Sequence, residues 1–266
     1  MTNSIGIHFN ITFIGAGNVA WHLAPALRDA GHHIVQVYSR TLESAKALAS
    51  QVGAQAVNKY EDVEPTSHIY IYALTDDSLQ WVMNHIKIRK GLHIHTAGSM
   101  PISIFKQVRD NYGCLYPLQT FSKEKRVDLR KVPFFIEANN KESETQINDI
   151  ARCMSQKIYR LSSEERKELH LASVFACNFS NLMYIYAEKM LARKNIPFEV
   201  LHGLITESVN KVKKIGPRAA QTGPARRGDN RILDQHIALL YKDPEWQEIY
   251  TLLSEQIGRA SCRERV

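Results

Sequence analysis

A glycine-rich turn near the N-terminus is the strongest chemical pattern in the sequence. It follows an apolar run that ends at Ile14, and it opens a helical pattern that continues to Ala30. Its first glycine permits a tight turn, its second lets a pyrophosphate approach the backbone, and the small residue Ala20 lets the helix pack closely against the sheet. Unpaired N–H groups at such a helix N-terminus bind phosphate. The turn therefore predicts a dinucleotide site, with a purely structural turn as the alternative; the contacting residues would be Gly15, Ala16, Gly17, Asn18 and Val19.

The end of the second predicted strand indicates which dinucleotide to expect. It reads Tyr38-Ser39-Arg40-Thr41, where NAD-selective sites usually carry a carboxylate that accepts from the ribose 2′-hydroxyl. Arg40, with the hydroxyls of Ser39 and Thr41, can instead bind a 2′-phosphate through charge-assisted hydrogen bonds. We therefore expect NADP rather than NAD, and the alternative is a solvated arginine on a surface turn.

Two further strand ends are expected to complete this site, because ligands of open parallel sheets bind beyond the carboxyl ends of the strands. The candidates there are Leu74, Thr75, Asp76, Thr96 and Gly98. His93 and His95 alternate along one strand and so share a face, but no third ligand lies near them in the sequence. We therefore expect no metal site.

A polar stripe on a long predicted helix supplies candidate catalytic groups. The helix begins at the capping pair Ser162 and Glu165 and continues to about Lys194. At 100° per residue, one face carries Lys167, His170, Asn178 and Asn181. Because the surrounding helix is mostly apolar, we expect these groups to be buried and hydrogen-bonded. In a substrate site His170 would donate or accept a proton and Asn178 would orient a carbonyl or carboxylate, whereas in a dimer core they would form interhelical hydrogen bonds.

A basic loop supplies candidate anion-binding groups. The segment from Ser208 to Arg231 holds seven Lys or Arg and one acidic residue, and within it 218–228 reads as a loop. Thr222 and Arg227 can bind an anionic substrate, while Asp229 can hold the guanidinium or cap the next helix. The alternative is a solvated basic loop. Nucleic acid is not an expected partner, because no aromatic residues are interleaved with these charges.

The elements that must position these residues form two domains. Short apolar runs alternate with helical or loop stretches up to Arg160, as in a doubly wound parallel sheet of the Rossmann-like α/β class. After Arg160 only helical patterns follow. We therefore predict a nucleotide-binding domain at 1–160 and an all-α substrate and dimerisation domain at 161–256.

Composition and charge exclude several classes of protein. The chain is 44% hydrophobic and 23% charged, as in soluble globular proteins, and its formal charge is +7. We interpret residues 257–266 as a non-native tail because they lack apolar periodicity; without them the charge is +5. The remaining cysteines are Cys114, Cys153 and Cys177, an odd number with no CxxC pair. This argues against a disulfide framework and favours the reducing cytoplasm as the location. No signal peptide is recognisable, and the charge-free stretch 171–187 contains Ser and Asn, so we expect no membrane contact.

Several segments together resemble a known family. GAGNVA, HTAGS, YPLQTF, LHLASVFACNF and QTGPARRGD are similar to those of Rossmann-like proteins with a C-terminal DUF2520 domain, over nearly all of residues 5–256. That family is related to F420-dependent NADP oxidoreductases, pyrroline-5-carboxylate reductases and β-hydroxyacid dehydrogenases. The resemblance implies a helical C-terminal domain that forms a homodimer. β-Hydroxyacid dehydrogenases have a catalytic Lys followed four residues later by Asn, but Leu171 stands four residues after Lys167. The departure favours His170 and Asn178 as the catalytic pair.

The leading hypothesis is an NADP-dependent oxidoreductase that transfers a hydride between the nicotinamide and a small anionic substrate held between the domains. One alternative is a non-enzymatic NADP-binding sensor or scaffold, and another is a reductase of pyrroline-type imines. The substrate and the direction of reaction do not follow from the sequence.

Overall fold

The structure, a computed structural model, describes residues 8–263. Its residues group into two compact units, the first ending at Val174 and the second beginning at Phe175. The sequence pattern becomes all-helical at residue 161, but the helix that follows groups with the sheet. One of its side chains, Arg166, is buried in the first unit, which accounts for the later division.

The first unit is built on one sheet with the strand order β3-β2-β1-β4-β5-β6-β7-β8. The strands are β1 Asn10–Ile14, β2 His33–Tyr38, β3 Gln55–Val57, β4 Ile69–Tyr72, β5 Leu92–His95, β6 Asn111–Pro117, β7 Phe134–Ala138 and β8 Ile158–Arg160. All neighbouring strands are parallel except β6 and β7. Because β1 lies between β2 and β4, the crossover direction reverses there, and this is where open α/β sheets bind ligands. The predicted Rossmann-like class is confirmed.

Helices cover both faces of the sheet, and side chains alternate between them. The helices are α1 Asn18–Asp29, α2 Leu42–Val52, α3 Asp76–His85, α4 Lys141–Met154 and α5 Ser163–Ser173. Phe13 of β1 belongs to an apolar cluster with Leu23 and Ile147, whereas Ile14 belongs to another with Leu79. Adjacent residues of a strand face opposite sides, so the continuous apolar run of β1 serves both cores.

The sequence predicts the ends of some helices correctly but misses two short strands and one strand direction. The α2 helix ends at Gly53 in the left-handed conformation (φ 70°), and Ser162 and Glu165 form the predicted capping box before α5. The strands β3 and β8 are not predicted because each has only three residues, and β8 is also largely exposed. The antiparallel pairing of β6 and β7 is not predicted either. The long connection between these strands has no helical pattern, and the sequence does not indicate in which direction it returns the chain to the sheet.

The second unit is helical in its described part. Wide i→i+5 turns at Val174–Phe179 precede α6 Ser180–Ala192, α7 His202–Ile215, α8 Pro217–Ala220, α9 Pro224–Arg227, α10 Asn230–Leu239 and α11 Pro244–Arg263. The wide turns interrupt the rotation of 100° per residue of a regular α-helix, from which Asn178 is predicted to share a face with His170. The interpretation of 218–228 as a loop is wrong, because prolines at the first positions of α8 and α9 start two short helices.

The last helix passes Gln256, where the sequence pattern indicates its end. Arg259 pairs with Glu255 one turn earlier, an arrangement that supports continued helix. None of the described helices has both the length and the apolar character required to cross a membrane.

Candidate functional site

A cavity of about 640 Å³ lies at the carboxyl ends of β1, β2 and β4. It includes nine of the residues that the sequence nominates for cofactor binding, which are Gly15, Ala16, Gly17, Asn18, Ser39, Arg40, Thr41, Leu74 and Thr75. The helices α1, α2 and α3 begin at this edge of the sheet, so their partial positive charges favour an anion there.

The glycine turn has the geometry that a phosphate requires. Gly15 has φ +111°, and a Cβ on it would lie 2.3 Å from the carbonyl oxygen of Ala73. On Gly17 a Cβ would meet only that same oxygen, at 3.9 Å, so this backbone faces open space. No side chain caps the N-terminus of α1 and its first turn carries no acidic residue. These residues therefore fit a bound pyrophosphate.

The end of β2 presents a cation and hydroxyl groups to the same cavity. Arg40 is exposed, and the Thr41 hydroxyl donates to the Ser44 hydroxyl at 2.7 Å. An adjoining groove beside Arg40 is lined by Tyr60 and Trp81, whose rings are 5.9 Å apart. Neither aromatic residue is nominated by the sequence, because helix α3 and the residues after β3 approach each other only in the fold.

The remaining nominated cofactor residues lie outside this cavity. Val19 packs against the apolar core, and Asp76 accepts a hydrogen bond from the Ser99 hydroxyl. Thr96 is buried, with its hydroxyl 3.4 Å from the carbonyl oxygen of Tyr72. Gly98 is buried in a second cluster of side chains.

This second cluster consists of Gly98, Tyr116 and His170. The Tyr116 hydroxyl lies 3.2 Å from Nδ1 of His170, and a Cβ on Gly98 would lie 2.8 Å from each side chain. Burial raises the pKa of Tyr116, so its phenol holds its proton more firmly than in water. The pair can donate or accept a proton. Tyr116 is not nominated as catalytic in the sequence, although it belongs to the YPLQTF segment.

A buried ion pair anchors the helix that carries His170. Arg166 is 1% exposed; it contacts the Glu137 carboxylate and donates to the carbonyl oxygen of Met100 at 2.6 Å. The expected burial of the polar stripe is not present within a single chain, where Lys167, Asn178 and Asn181 are exposed and His170 is partly buried. Helix α5 packs the side that carries Arg166 against the sheet, and the side that carries Lys167 is exposed.

Two histidines of β5, His93 and His95, are buried. Burial lowers the pKa of His93 and of His95 to about 3, with Arg109 and Arg166 respectively adding to the effect. The Tyr72 hydroxyl lies 3.0 Å from Nδ1 of His93. Among the side chains described, those of residues 8–260, no three His, Cys, Asp or Glu come together as metal ligands.

The other candidate substrate residues belong to the second unit. Asn178 is exposed within the wide turns, Thr222 is exposed before α9, and Arg227 is exposed as the last residue of α9. Asp229 caps α10, its carboxylate accepting from the N–H of Ile232 at 3.4 Å. The capping alternative for Asp229 is therefore the one observed.

Comparisons with known proteins cover most of the chain. The profile of NADP oxidoreductases, coenzyme F420-dependent, matches residues 10–94, and that of DUF2520, a domain of unknown function, matches residues 132–257. A Bacteroides fragilis structure assigned as an NADP oxidoreductase is 43% identical, with a TM-score of 0.91, covering 95% of this chain and 98% of that chain.

More distant structures share the fold. A Thermotoga maritima protein has 22% identity and a TM-score of 0.76, covering 94% of this chain and 99% of its own. An imine reductase from Myxococcus stipitatus in complex with NADP+ has 15% identity and a TM-score of 0.67, covering 94% and 92%. No protein of curated function matches the sequence.

Proposed function

Because the chain belongs to the family of NADP oxidoreductases that join a Rossmann-type domain to a DUF2520 domain, we propose that it binds NADP(H) at the β1–β2–β4 edge. The observation that carries the proposal is the single cavity shared by the Gly15 turn and Arg40. The turn would hold the pyrophosphate and Arg40 the 2′-phosphate, with Ser39 and Thr41 as further donors.

The proposed reaction is hydride transfer between the nicotinamide and a small anionic substrate. The cofactor supplies the hydride chemistry, and the protein supplies position, charge and a proton. Tyr116 and His170 are the proposed proton-transfer pair, because they are within hydrogen-bond distance and partly shielded from water. Asn178, Thr222 and Arg227 are proposed substrate-binding residues, supported by their polar chemistry and by the basic character of residues 208–231.

Calorimetric titration with NADPH and NADH tests the cofactor assignment. We expect NADPH to bind more tightly, and we expect Arg40→Gln to weaken NADPH at least tenfold while leaving NADH unchanged. Arg126→Gln, which replaces an exposed arginine outside the cavity, is the control. Equal affinity for the two cofactors, or absent binding, contradicts the assignment.

A C=N bond is the substrate class that the structural relatives favour. Reduction of an imine adds a hydride to carbon and a proton to nitrogen, and the Tyr116–His170 pair can supply the proton. The imine reductase from M. stipitatus supports this choice through its fold. A panel of pyrroline-type imines and matched ketones, followed by NADPH absorbance, separates the two substrate classes.

Turnover of any panel member also decides against a sensor or scaffold. In an enzyme, His170→Ala and Arg227→Ala would each lower turnover while preserving NADPH affinity. In a sensor, no panel member would be reduced by the wild-type protein at any NADPH concentration.

A second copy of this chain is the proposed partner of the helical unit. Among its described residues only Leu240 is buried, whereas large apolar side chains such as Phe175, Leu204 and Leu252 are exposed. Such surfaces are larger than soluble monomers usually present and are typical of interfaces. Light scattering should give twice the chain mass of 30.3 kDa, and a monomer at micromolar concentration contradicts the proposal.

A further inference from the structure

The connection between β6 and β7 folds back over the start of α1. We call residues 118–127 of this connection the return segment. The Asn18 side-chain amide donates to the carbonyl oxygen of Phe121 at 2.9 Å. The His22 Nε2 atom lies 2.9 Å from the carbonyl oxygen of Ser122, and the rings of His22 and Phe121 are 4.8 Å apart. The return segment is therefore held against the first turns of α1.

A lysine stands at the tip of the return segment. Ser122 and Lys125 form a bridge that closes a tight turn, with Lys123 and Glu124 at its apex. The Nζ atom of Lys123 lies 4.8 Å from the centre of the Trp21 ring, and Lys123 lines the cavity that also contains Gly17 and Arg40. The ring attracts the cation, so the lysine is directed along α1 before any ligand arrives.

We infer that Lys123 binds the pyrophosphate of the dinucleotide above the N-terminus of α1. This inference rests on the proposed function and assigns a residue to a part of the ligand. The return segment contacts α1 at Asn18, Trp21 and His22, which places the Lys123 ammonium at the glycine-turn end of the cavity. Arg40 instead follows β2, beside the start of α2.

The two cations therefore have different effects on cofactor choice. A pyrophosphate is common to NADPH and NADH, so Lys123 contributes equally to the binding of both. Only NADPH carries the 2′-phosphate, so Arg40 contributes to the binding of NADPH alone. Lysine suits the first role because its ammonium is a compact point charge that reaches phosphate without bidentate geometry.

Calorimetric titration of Lys123→Met with both cofactors tests the inference. We expect the dissociation constants for NADPH and for NADH to rise by the same factor, about tenfold. Lys125→Met is the matched control, because Lys125 is an exposed lysine in the same turn and lies outside the cavity. It should bind both cofactors like the wild type. Lys123→Arg should retain most of the affinity, since it keeps the charge.

Three outcomes overturn the inference. If the wild type binds NADPH and Lys123→Met binds it equally well, the lysine makes no contact and the proposed function stands. If Lys123→Met weakens NADPH but not NADH, the lysine contacts the 2′-phosphate instead. If Lys125→Met weakens binding as much as Lys123→Met, the effect is one of general surface charge. Failure of the wild type to bind either cofactor removes the proposed function itself.

Discussion

The hydroxyl of Tyr116, at the end of β6, lies 3.2 Å from Nδ1 of His170 on α5. If this pair supplies the proton, Tyr116→Phe should lower turnover of a panel substrate about 100-fold, because it removes the hydroxyl and keeps the ring. NADPH affinity should not change. Tyr159→Phe, at an exposed tyrosine of β8, is the control, and full activity of Tyr116→Phe would falsify the assignment.

A readout without substrate is also available for this pair. Nuclear magnetic resonance spectra should show altered chemical shifts of the His170 ring in Tyr116→Phe, because the phenol is its hydrogen-bond partner. Unchanged chemical shifts of the His170 ring would mean that the two side chains do not interact in solution.

Gly98 packs directly against the side chains of Tyr116 and His170. A Cβ there would lie 2.8 Å from Nδ1 of His170 and from Cζ of Tyr116, so Gly98→Ala must displace at least one of them. We expect turnover to fall at least tenfold with the fold intact, measured by panel activity and by thermal unfolding. Gly203→Ala is the control, because a Cβ at Gly203 meets nothing within 4 Å. If both variants retain activity, the proton-transfer pair does not depend on this contact.

The Arg166–Glu137 pair should contribute strongly to stability. Arg166→Met leaves the Glu137 carboxylate without its guanidinium, a change that typically costs about 3–5 kcal/mol of unfolding free energy. Glu137→Gln together with Arg166→Met should recover part of this loss, because no uncompensated charge then remains. Urea unfolding of the single and double variants measures both effects. Independent, additive losses would show that the two side chains are not coupled.

Two buried histidines predict that stability falls in acid. Their pKa is about 3 in the folded protein and about 6.5 when unfolded, so below pH 6.5 the unfolded chain binds more protons. Above pH 6.5 both histidines are neutral in the folded and the unfolded protein, so they do not change the unfolding free energy. At pH 5 each lowers the unfolding free energy by about 2 kcal/mol, because the unfolded chain binds a proton that the folded protein does not. Urea unfolding at pH 7.5, 6.5 and 5 follows this loss.

One of these histidines provides the variant for the pH experiment. The Nε2 atom of His95 has no hydrogen-bond partner in residues 8–260, so His95→Leu removes no hydrogen bond at this atom. It should flatten the fall in stability between pH 6.5 and 5. His33→Leu, at an exposed histidine, is the control. The same slope in His95→Leu as in the wild type would exclude His95 as a source of the pH dependence.

Local sequence patterns determine much of the nucleotide site. The Gly15 turn, the strand from His33 to Tyr38 and the cap at Gly53 all depend on residues close in the chain. The turn and the end of β2 meet because parallel strands place their carboxyl ends at one edge. For this reason Arg40 and the glycine turn can be assigned to one site from the sequence alone.

Only the tertiary structure decides the rest of the candidate site. Tyr116 meets His170, Lys123 reaches α1, and Arg166 becomes the buried residue of α5 through contacts between distant parts of the chain. Helical periodicity places Lys167 and Asn178 with His170, but packing selects the other side of α5, and the wide turns at Val174–Phe179 change the register. Local propensity sets which backbone forms, whereas the side chains that meet depend on which faces bury the most apolar area and pair the most buried polar groups.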